Sequence, residues 1–372
     1  MNMPVTAVIC ELNPLHNGHL HVINKAKEAA SSPVVLVMSG NFTQRGEAAA
    51  FHKYARARAA VEAGADLCVE LPFPYSSSGA EDFARAGVYI AEKMGAERLV
   101  FGSESWDIGY LRRVADALSS DRYAELFSEL SQSDPAAGAA VCRERALAML
   151  LPDYKKGSAP NDTLAAEYVR NASCECVPVK RIDTLSASTL RCFEADDCAP
   201  YVPEPCMRMM KKNKRADSDL FRDILWKNLR LFTGDLSGVA ECGGGLGERM
   251  RKISRESTDG EVFFDSCRTK KYTDARILRA ALYAATGVTR RDISDFPAYT
   301  LLLAANERGC AVLSELSATE DFSVITKPAD YVKLPMQAQR QFALSAKADE
   351  LYTLLIGEKA GYFMRQSPYI NK

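Results

Sequence analysis

The sequence predicts an α/β fold: a doubly wound parallel sheet over residues 1–198, then a mostly helical basic segment and a small α+β C-terminal unit within 199–372. Three observations carry this reading. Short apolar runs alternate with amphipathic helical patterns through the first part, as parallel strands joined by crossover helices do. Polar, glycine-containing motifs recur where these runs stop, at the strand carboxyl ends where such sheets bind ligands. The texture then changes after Asp196, where Pro200, Pro203 and Pro205 mark a linker.

Val5–Cys10 opens the sheet as an apolar run of the kind a doubly covered strand requires. A turn carrying Asn13, Pro14 and Gly18 leads into a helix over Gly18–Ala30. Val34–Met38, Leu67–Leu71, Arg98–Phe101 and Cys176–Val179 supply the remaining strands. Helices are expected over His52–Ala63, Gly79–Lys93 and several stretches from Ile108 to Met149. Right-handed crossovers between the strands place these helices on both faces. Beyond the linker, Arg208, Lys211, Lys212, Lys214, Arg215, Lys227 and Arg230 mark a basic helical stretch. Gly243–Gly247 breaks it as a flexible loop, because no strand precedes it and no Lys-Ser/Thr follows, as a nucleotide-cradling loop requires. Ala298 to Ile356 completes the chain as a small α+β unit.

Of the 372 residues, 47% are hydrophobic and 26% charged, which suits a globular chain large enough for two domains. No apolar run approaches the ~18 residues of a membrane span, and the N-terminus lacks the basic and apolar regions of a cleaved signal. No membrane partner is expected. The 11 cysteines include no C-x-x-C pair, and Cys174 and Cys176 have no histidine near them in sequence. Reduced core thiols of a cytoplasmic protein, rather than a metal site, are the simpler reading. The net charge of −1 conceals a segregation: residues 1–200 hold 20 Lys+Arg against 26 Asp+Glu, and residues 201–290 hold 18 against 12. A basic middle segment suits a polyanionic partner or an ordinary solvated helix surface, and charge alone does not choose. No feature specifies an oligomeric state.

All four histidines lie within the first 52 residues, and His16, His19 and His21 fall within six positions. In His16-Asn17-Gly18-His19 two imidazoles flank a glycine at a strand-to-helix turn. Backbone N–H groups at a helix N-terminus favour anions, and glycine lets a ligand approach the backbone. His21 and the helix-start residue His52 lie outside this motif. Farther on, Ser186-Ala187-Ser188-Thr189-Leu190-Arg191 follows the last strand of the sheet. Alone it reads as a Ser/Thr helix cap. After His-x-Gly-His, it resembles the second ATP motif of the nucleotidyltransferase superfamily, Ser-Ser/Ala-Ser/Thr-x-x-Arg. Lys-Met-Ser-Lys-Ser, which marks class I aminoacyl-tRNA synthetases, is absent.

Further segments narrow the resemblance. They are Glu11-Leu12-Asn13-Pro14-Leu15 before the histidines, Ser39–Glu47, Gly64–Pro72, Phe101-Gly102-Ser103-Glu104 and Ser158–Ala165. In the second half come Cys267–Arg279, read as one basic helix, then Pro297 through Asn306-Glu307-Arg308-Gly309, and Thr326–Ala329. Together, over nearly the whole chain, they resemble the bacterial tRNA(Met) cytidine acetate ligase family. That resemblance implies a Rossmann-like, ATP-binding catalytic domain over residues 1–198 and a tRNA-binding region over 199–372. It implies two steps: acetate and ATP, with Mg²⁺, give acetyl-adenylate, and the acetyl group passes to N4 of the wobble cytidine of elongator tRNA(Met). The implied ATP site comprises Val8, Ile9, Cys10, Glu11, Asn13, Pro14, His16, Asn17, Gly18, His19, Gly102, Asn161, Arg181, Ile182, Ser188 and Arg191, with His16 and His19 catalytic. Cys10 and Leu190 depart modestly from the family pattern.

Arg268, Lys270, Lys271, Arg276 and Arg279, with Tyr272 among them, are the expected contacts to tRNA phosphates. On one helix they cannot all share a narrow stripe, so some must be solvated or paired with Asp265 and Asp274. Arg45 and Lys53 flank the Gly40–Gly46 loop, either within reach of the ATP phosphates or acetate, or as ordinary surface charges. A small-molecule adenylyl- or cytidylyltransferase would also use both ATP motifs but leaves the basic segment without a role. An RNA-binding scaffold with a lapsed nucleotide site is a third reading.

Overall fold

The computed structural model describes residues 3–155, 160–316 and 321–371. Its strands are β1 (Val5–Cys10), β2 (Val34–Ser39), β3 (Leu67–Leu71), β4 (Ala96–Ser103), β5 (Glu175–Lys180), β6 (Tyr299–Asn306), β7 (Ser323–Ile325) and β8 (Tyr369–Asn371). They form one sheet in the order β5-β4-β1-β2-β3-β6-β7, with β8 also paired to β6. The first five are parallel to one another. Strand residues alternate between two cores. Val8, Leu36, Met38, Cys68 and Val100 face one; Ala7, Ile9, Val35, Val69 and Leu99 face the other. The helices Asn17–Ala29 and Lys53–Glu62 cover the first face, whereas Ala80–Lys93, Ile108–Leu118 and Pro160–Asn171 cover the second. Burial on both sides is why these strands read as apolar runs rather than alternating ones.

The expected C-terminal α+β unit joins the first sheet. Its main strand, β6, pairs antiparallel with β3 and extends the first sheet. Asp66 sews the junction: its Oδ2 accepts from Val34 N at 2.8 Å, and its Oδ1 accepts from Asn306 Nδ2 at 2.9 Å. Asn306 in turn caps the helix Glu307–Glu315 by accepting from Gly309 N. A Cβ on Gly309 would lie 2.0 Å from the Asp66 carbonyl oxygen, so only glycine lets this helix sit so close to β3. The Gly64–Pro72 and Asn306–Gly309 segments thus act as one joint.

Residues on both sides of the boundary expected at 198/199 contribute to one apolar cluster. The helices Ser218–Leu231, Leu246–Glu256 and Gly260–Cys267 place Phe221, Leu225, Met250 and Phe263 in the same apolar cluster as Leu36 and Met38. Nor is Cys267–Arg279 one helix. Residues 268–273 form a connection between Gly260–Cys267 and Asp274–Thr286, and Thr273 Oγ1 caps the second helix. The glycine run of 243–247 is not a free loop. Gly244 and Gly245 take φ of 68° and 90° as they turn into the helix Leu246–Glu256, and the Gly244 carbonyl accepts from Lys271 Nζ and Tyr272 OH.

Candidate active site

Going from β1 to β3 the chain moves to one side of β1; β4 then returns to pair on its other side. The crevice beyond the carboxyl ends of β1 and β4 is therefore the switch point where open α/β sheets bind ligands. A cleft of about 440 Å³ opens there. Its wall brings together Val8, Ile9, Cys10, Glu11, His16, Gly18, His19, Gly102, Asn161, Arg181, Ile182, Ser188 and Arg191, all singled out from sequence. Asn13, Pro14 and Asn17 are not in that wall. Asn13 is buried behind it and accepts from Ala50 N at 2.8 Å, whereas Asn17 Nδ2 donates to the Pro200 carbonyl. Of the Ser158–Ala165 motif, Ser158 and Ala159 lie outside the described residues, and Asn161 and Leu164 reach the cleft.

The two histidines form a capping box on the helix Asn17–Ala29. His16 Nδ1 accepts from Gly18 N at 3.0 Å, and His19 Nδ1 accepts from His16 N at 3.3 Å. Their rings stack with centroids 3.8 Å apart. An Nδ1 that accepts carries no proton, so each neutral ring holds its hydrogen on Nε2. Burial, with the nearby Arg181 charge, pushes the His16 imidazole down to about 4. Burial and then His16 hold His19 well below the usual histidine range. The motif therefore supplies neutral donors rather than cations. Its glycine has a role the sequence did not reveal: a Cβ on Gly18 would lie 2.7 Å from His16 Cε1, so glycine makes room for the imidazole itself.

The same burial lowers His52, the cap of Lys53–Glu62, to about 4. A histidine whose folded pKa lies below its unfolded value near 6.5 is protonated first in the unfolded chain. Stability is thus fully present above pH ~6.5 and falls as pH drops toward ~4, by about 1.4 kcal/mol per pH unit per histidine. Replacing His52 with asparagine keeps a capping oxygen. Urea titrations should show this variant gaining about 1.4 kcal/mol on the parent between pH ~7.5 and ~5.5; a parallel pH dependence would refute the linkage.

Around the histidines, every loop is tied to another. Glu11 Oε1 accepts from Gln44 N at 2.7 Å, joining the turn after β1 to the loop after β2. Arg191 Nη2 pairs with Glu47 at 2.9 Å and its Nη1 donates to the Asn13 carbonyl at 3.0 Å, which draws the Ser186–Arg191 turn onto both. Ser186 Oγ caps that turn by accepting from Thr189 N. On the opposite side Glu104 accepts from Asn161 Nδ2 at 2.6 Å and from Arg181 Nη1 at 2.7 Å. Burial pushes the Cys10 thiol up to about 12, so it is a neutral wall residue rather than a nucleophile. Arg45 lines the cleft and forms no ion pair among the described residues. Lys53 does not reach it. It is 2% exposed and donates to Glu70 at 2.8 Å and Asp349 at 2.7 Å, held between β3 and the helix Met336–Leu355.

Sequence reasoning missed Arg56. It is fully buried and donates to the carbonyls of Phe51, Glu11, Ser39 and Gly40, fastening the ends of β1 and β2 from behind the cleft. The run Lys53-Tyr54-Ala55-Arg56-Ala57-Arg58 offers no spacing that separates this arginine from the exposed Arg58.

The residues read as RNA contacts divide sharply. Lys270 is exposed and makes no ion pair among the described residues. Lys271 and Arg276 are half-buried and bonded to the Gly244 and Gly243 carbonyls, and Arg268 pairs with Asp265 and Asp274. Arg279 faces inward instead: it is 8% exposed, pairs with Glu241 at 2.9 Å and donates to the Gln44 carbonyl. Its place on the buried face of Asp274–Thr286 removes it from the expected phosphate contacts and makes it a link to the cleft wall.

The family model for HIGH nucleotidyl transferases matches residues 3–366. The tRNA(Met) cytidine acetate ligase of Syntrophotalea carbinolica is 30% identical over 87% of this chain and 85% of its own. That of Anoxybacillus flavithermus is 29% identical over 96% of both. The chain belongs to the tRNA(Met) cytidine acetate ligase family of HIGH nucleotidyl transferases. The crystal structure of Thermotoga maritima TmcAL bound with alpha-thio ATP superposes with a TM-score of 0.92, at 26% identity and 99% coverage of each chain. His16-Asn17-Gly18-His19 lies within the matched residues.

Proposed function

We propose that this chain is an ATP-dependent tRNA(Met) cytidine acetate ligase. An acetate oxygen attacks the α-phosphorus of ATP, the bond to the β-phosphate breaks, and pyrophosphate leaves. N4 of the wobble cytidine then attacks the acetyl carbon and loses a proton as AMP departs. The chain's part is positioning and hydrogen-bond donation, with no protein nucleophile. His16 and His19 donate from Nε2 to the phosphate oxygens on which charge builds. The Ser186–Arg191 turn closes the other side, and Arg45, which forms no ion pair among the described residues, is available to the acetate carboxylate or the phosphates. Among the described residues no group of three or more His, Cys, Asp or Glu side chains could hold a metal ion. Mg²⁺ would be held mainly through the phosphates, as is common for this ion.

One observation carries the reading beyond nucleotide binding: the basic segment is docked on the cleft. Arg279 holds Gln44, which lines the cleft, and a Cβ on Gly46 would lie 3.0 Å from the Arg279 backbone nitrogen. The segment that carries Lys270 and Lys271 is thereby joined, through Arg279, to the loop that lines the cleft. A small-molecule transferase has no use for that junction. No helix among the described residues is long and apolar enough to cross a membrane. Incubation with labelled acetate, ATP and bacterial tRNA, then nuclease digestion, should yield N4-acetylcytidine. Adenylate without labelled RNA would favour the small-molecule reading, and neither product the scaffold reading.

The division among the basic residues makes a second measurement informative. Each phosphate contact contributes a slope of about −0.7 to −0.9 to log affinity against log salt. Lys270→Ala should weaken tRNA binding and make the slope shallower by about that amount, whereas Arg279→Gln should leave the slope unchanged and act on folding. A salt-insensitive affinity would remove the basic segment from RNA binding.

A further inference from the structure

We infer that Trp106 is the platform on which a nucleobase of the RNA substrate stacks at the mouth of the cleft; this rests on the RNA-acetylating reading above. The chain has two tryptophans. Trp226 is 7% exposed and donates its indole N–H to the Ser254 carbonyl, an ordinary core residue. Trp106 is 57% exposed. The other strongly exposed aromatic among the described residues, Phe296, lies against Tyr89 with centroids 4.7 Å apart. Trp106 stacks on no aromatic ring of the described chain.

Its placement is built. Trp106 follows β4 at a φ of 44°, a region bulky side chains rarely occupy. The buried Asp162 carboxylate holds that conformation, accepting from Ser103 Oγ at 2.6 Å, Glu104 N at 2.9 Å and Ser105 N at 3.0 Å. Ser103 Oγ then accepts from Trp106 N at 2.9 Å. The same turn carries Glu104, which holds the cleft residues Asn161 and Arg181. The backbone that carries the indole is thus tied to the nucleotide side of the cleft, and Trp106 itself is not part of the cleft wall. Lys180, at the end of β5, sets its ammonium over the ring, 5.2 Å from the centroid. An exposed indole with a cation over one face offers its remaining π-surface to a base and the charge to its phosphate, the pairing that single-stranded RNA readers use. The acetylated cytidine must leave its own stack for N4 to reach the adenylate, so an unstacked base needs such a surface at this rim.

The test compares Trp106→Ala and Trp106→Phe with the parent enzyme. Acetate-dependent ATP–pyrophosphate exchange without RNA should be unchanged in both. kcat/KM for tRNA acetylation should fall roughly 5- to 150-fold in Trp106→Ala, the worth of one base–aromatic stack, and far less in Trp106→Phe. A 17-nucleotide anticodon hairpin should quench parent tryptophan emission, the quench should vanish in Trp106→Phe, and a hairpin abasic at the wobble position should quench less. Exchange falling in step with transfer would place the indole against ATP and overturn the inference, as would unchanged transfer with no quench. If the parent makes no N4-acetylcytidine but Trp106 is still quenched by RNA, the ligase reading fails and the stacking surface stands.

Discussion

Alanine at either His16 or His19 should lower acetate-dependent ATP–pyrophosphate exchange by about 10²–10³-fold, the usual loss when one preorganised donor to a developing anion is removed. Each ring holds its proton on Nε2 because its Nδ1 is already an acceptor from the backbone. The loss should persist between pH ~6 and ~8, since both rings are neutral there. His16→Ala also removes a helix cap, worth about 1 kcal/mol. His16→Asn separates the two effects, because asparagine keeps both a capping oxygen and a neutral N–H donor. It should fold like the parent and retain more exchange than His16→Ala. Equal exchange in the parent and both alanine variants would remove the histidines from the chemistry.

Arg56→Met should cost about 3–5 kcal/mol of stability in urea denaturation, the scale of a buried charged network losing one member. The methionine fills much of the volume but leaves the carbonyls of Phe51, Glu11, Ser39 and Gly40 without their donor. A buried carbonyl left unpaired costs about 1–3 kcal/mol, and partial relaxation keeps the total below the sum. Exchange should fall at least ~10-fold even where the variant is fully folded, because small displacements of positioned groups are costly to rate. Arg56→Lys should fall between the two, since an ammonium lacks the planar fork that reaches separate carbonyls. A loss under ~1 kcal/mol would mean that the loops are held by other contacts.

Much of the nucleotide side was legible because its information is local. An apolar run, a turn and a helix start place His16-Asn17-Gly18-His19 at a strand end whatever surrounds them, and Ser186–Arg191 likewise caps its own short helix. The joints were not. Asp66 reads as a turn residue until Asn306 and Gly309 are seen against it, 240 positions away along the chain in the case of Asn306. Lys53 looked as available as Arg45, because Glu70 and Asp349, which capture it, come from a different strand and a distant helix.

The sequence alone determined the strand-and-helix alternation of the first part, the histidine and serine motifs at strand ends, and the family they resemble. All of these depend on residues near one another in the chain. Tertiary structure decided which cations are spent and which are free. Arg279 looks like its basic neighbours in sequence but is buried against Glu241, whereas Lys270 remains exposed. It also decided that the C-terminal strand belongs to the first sheet and that Trp106 is left exposed while Trp226 is buried. Burial and ion pairing are contact properties set by residues far apart along the chain, so no local pattern encodes them.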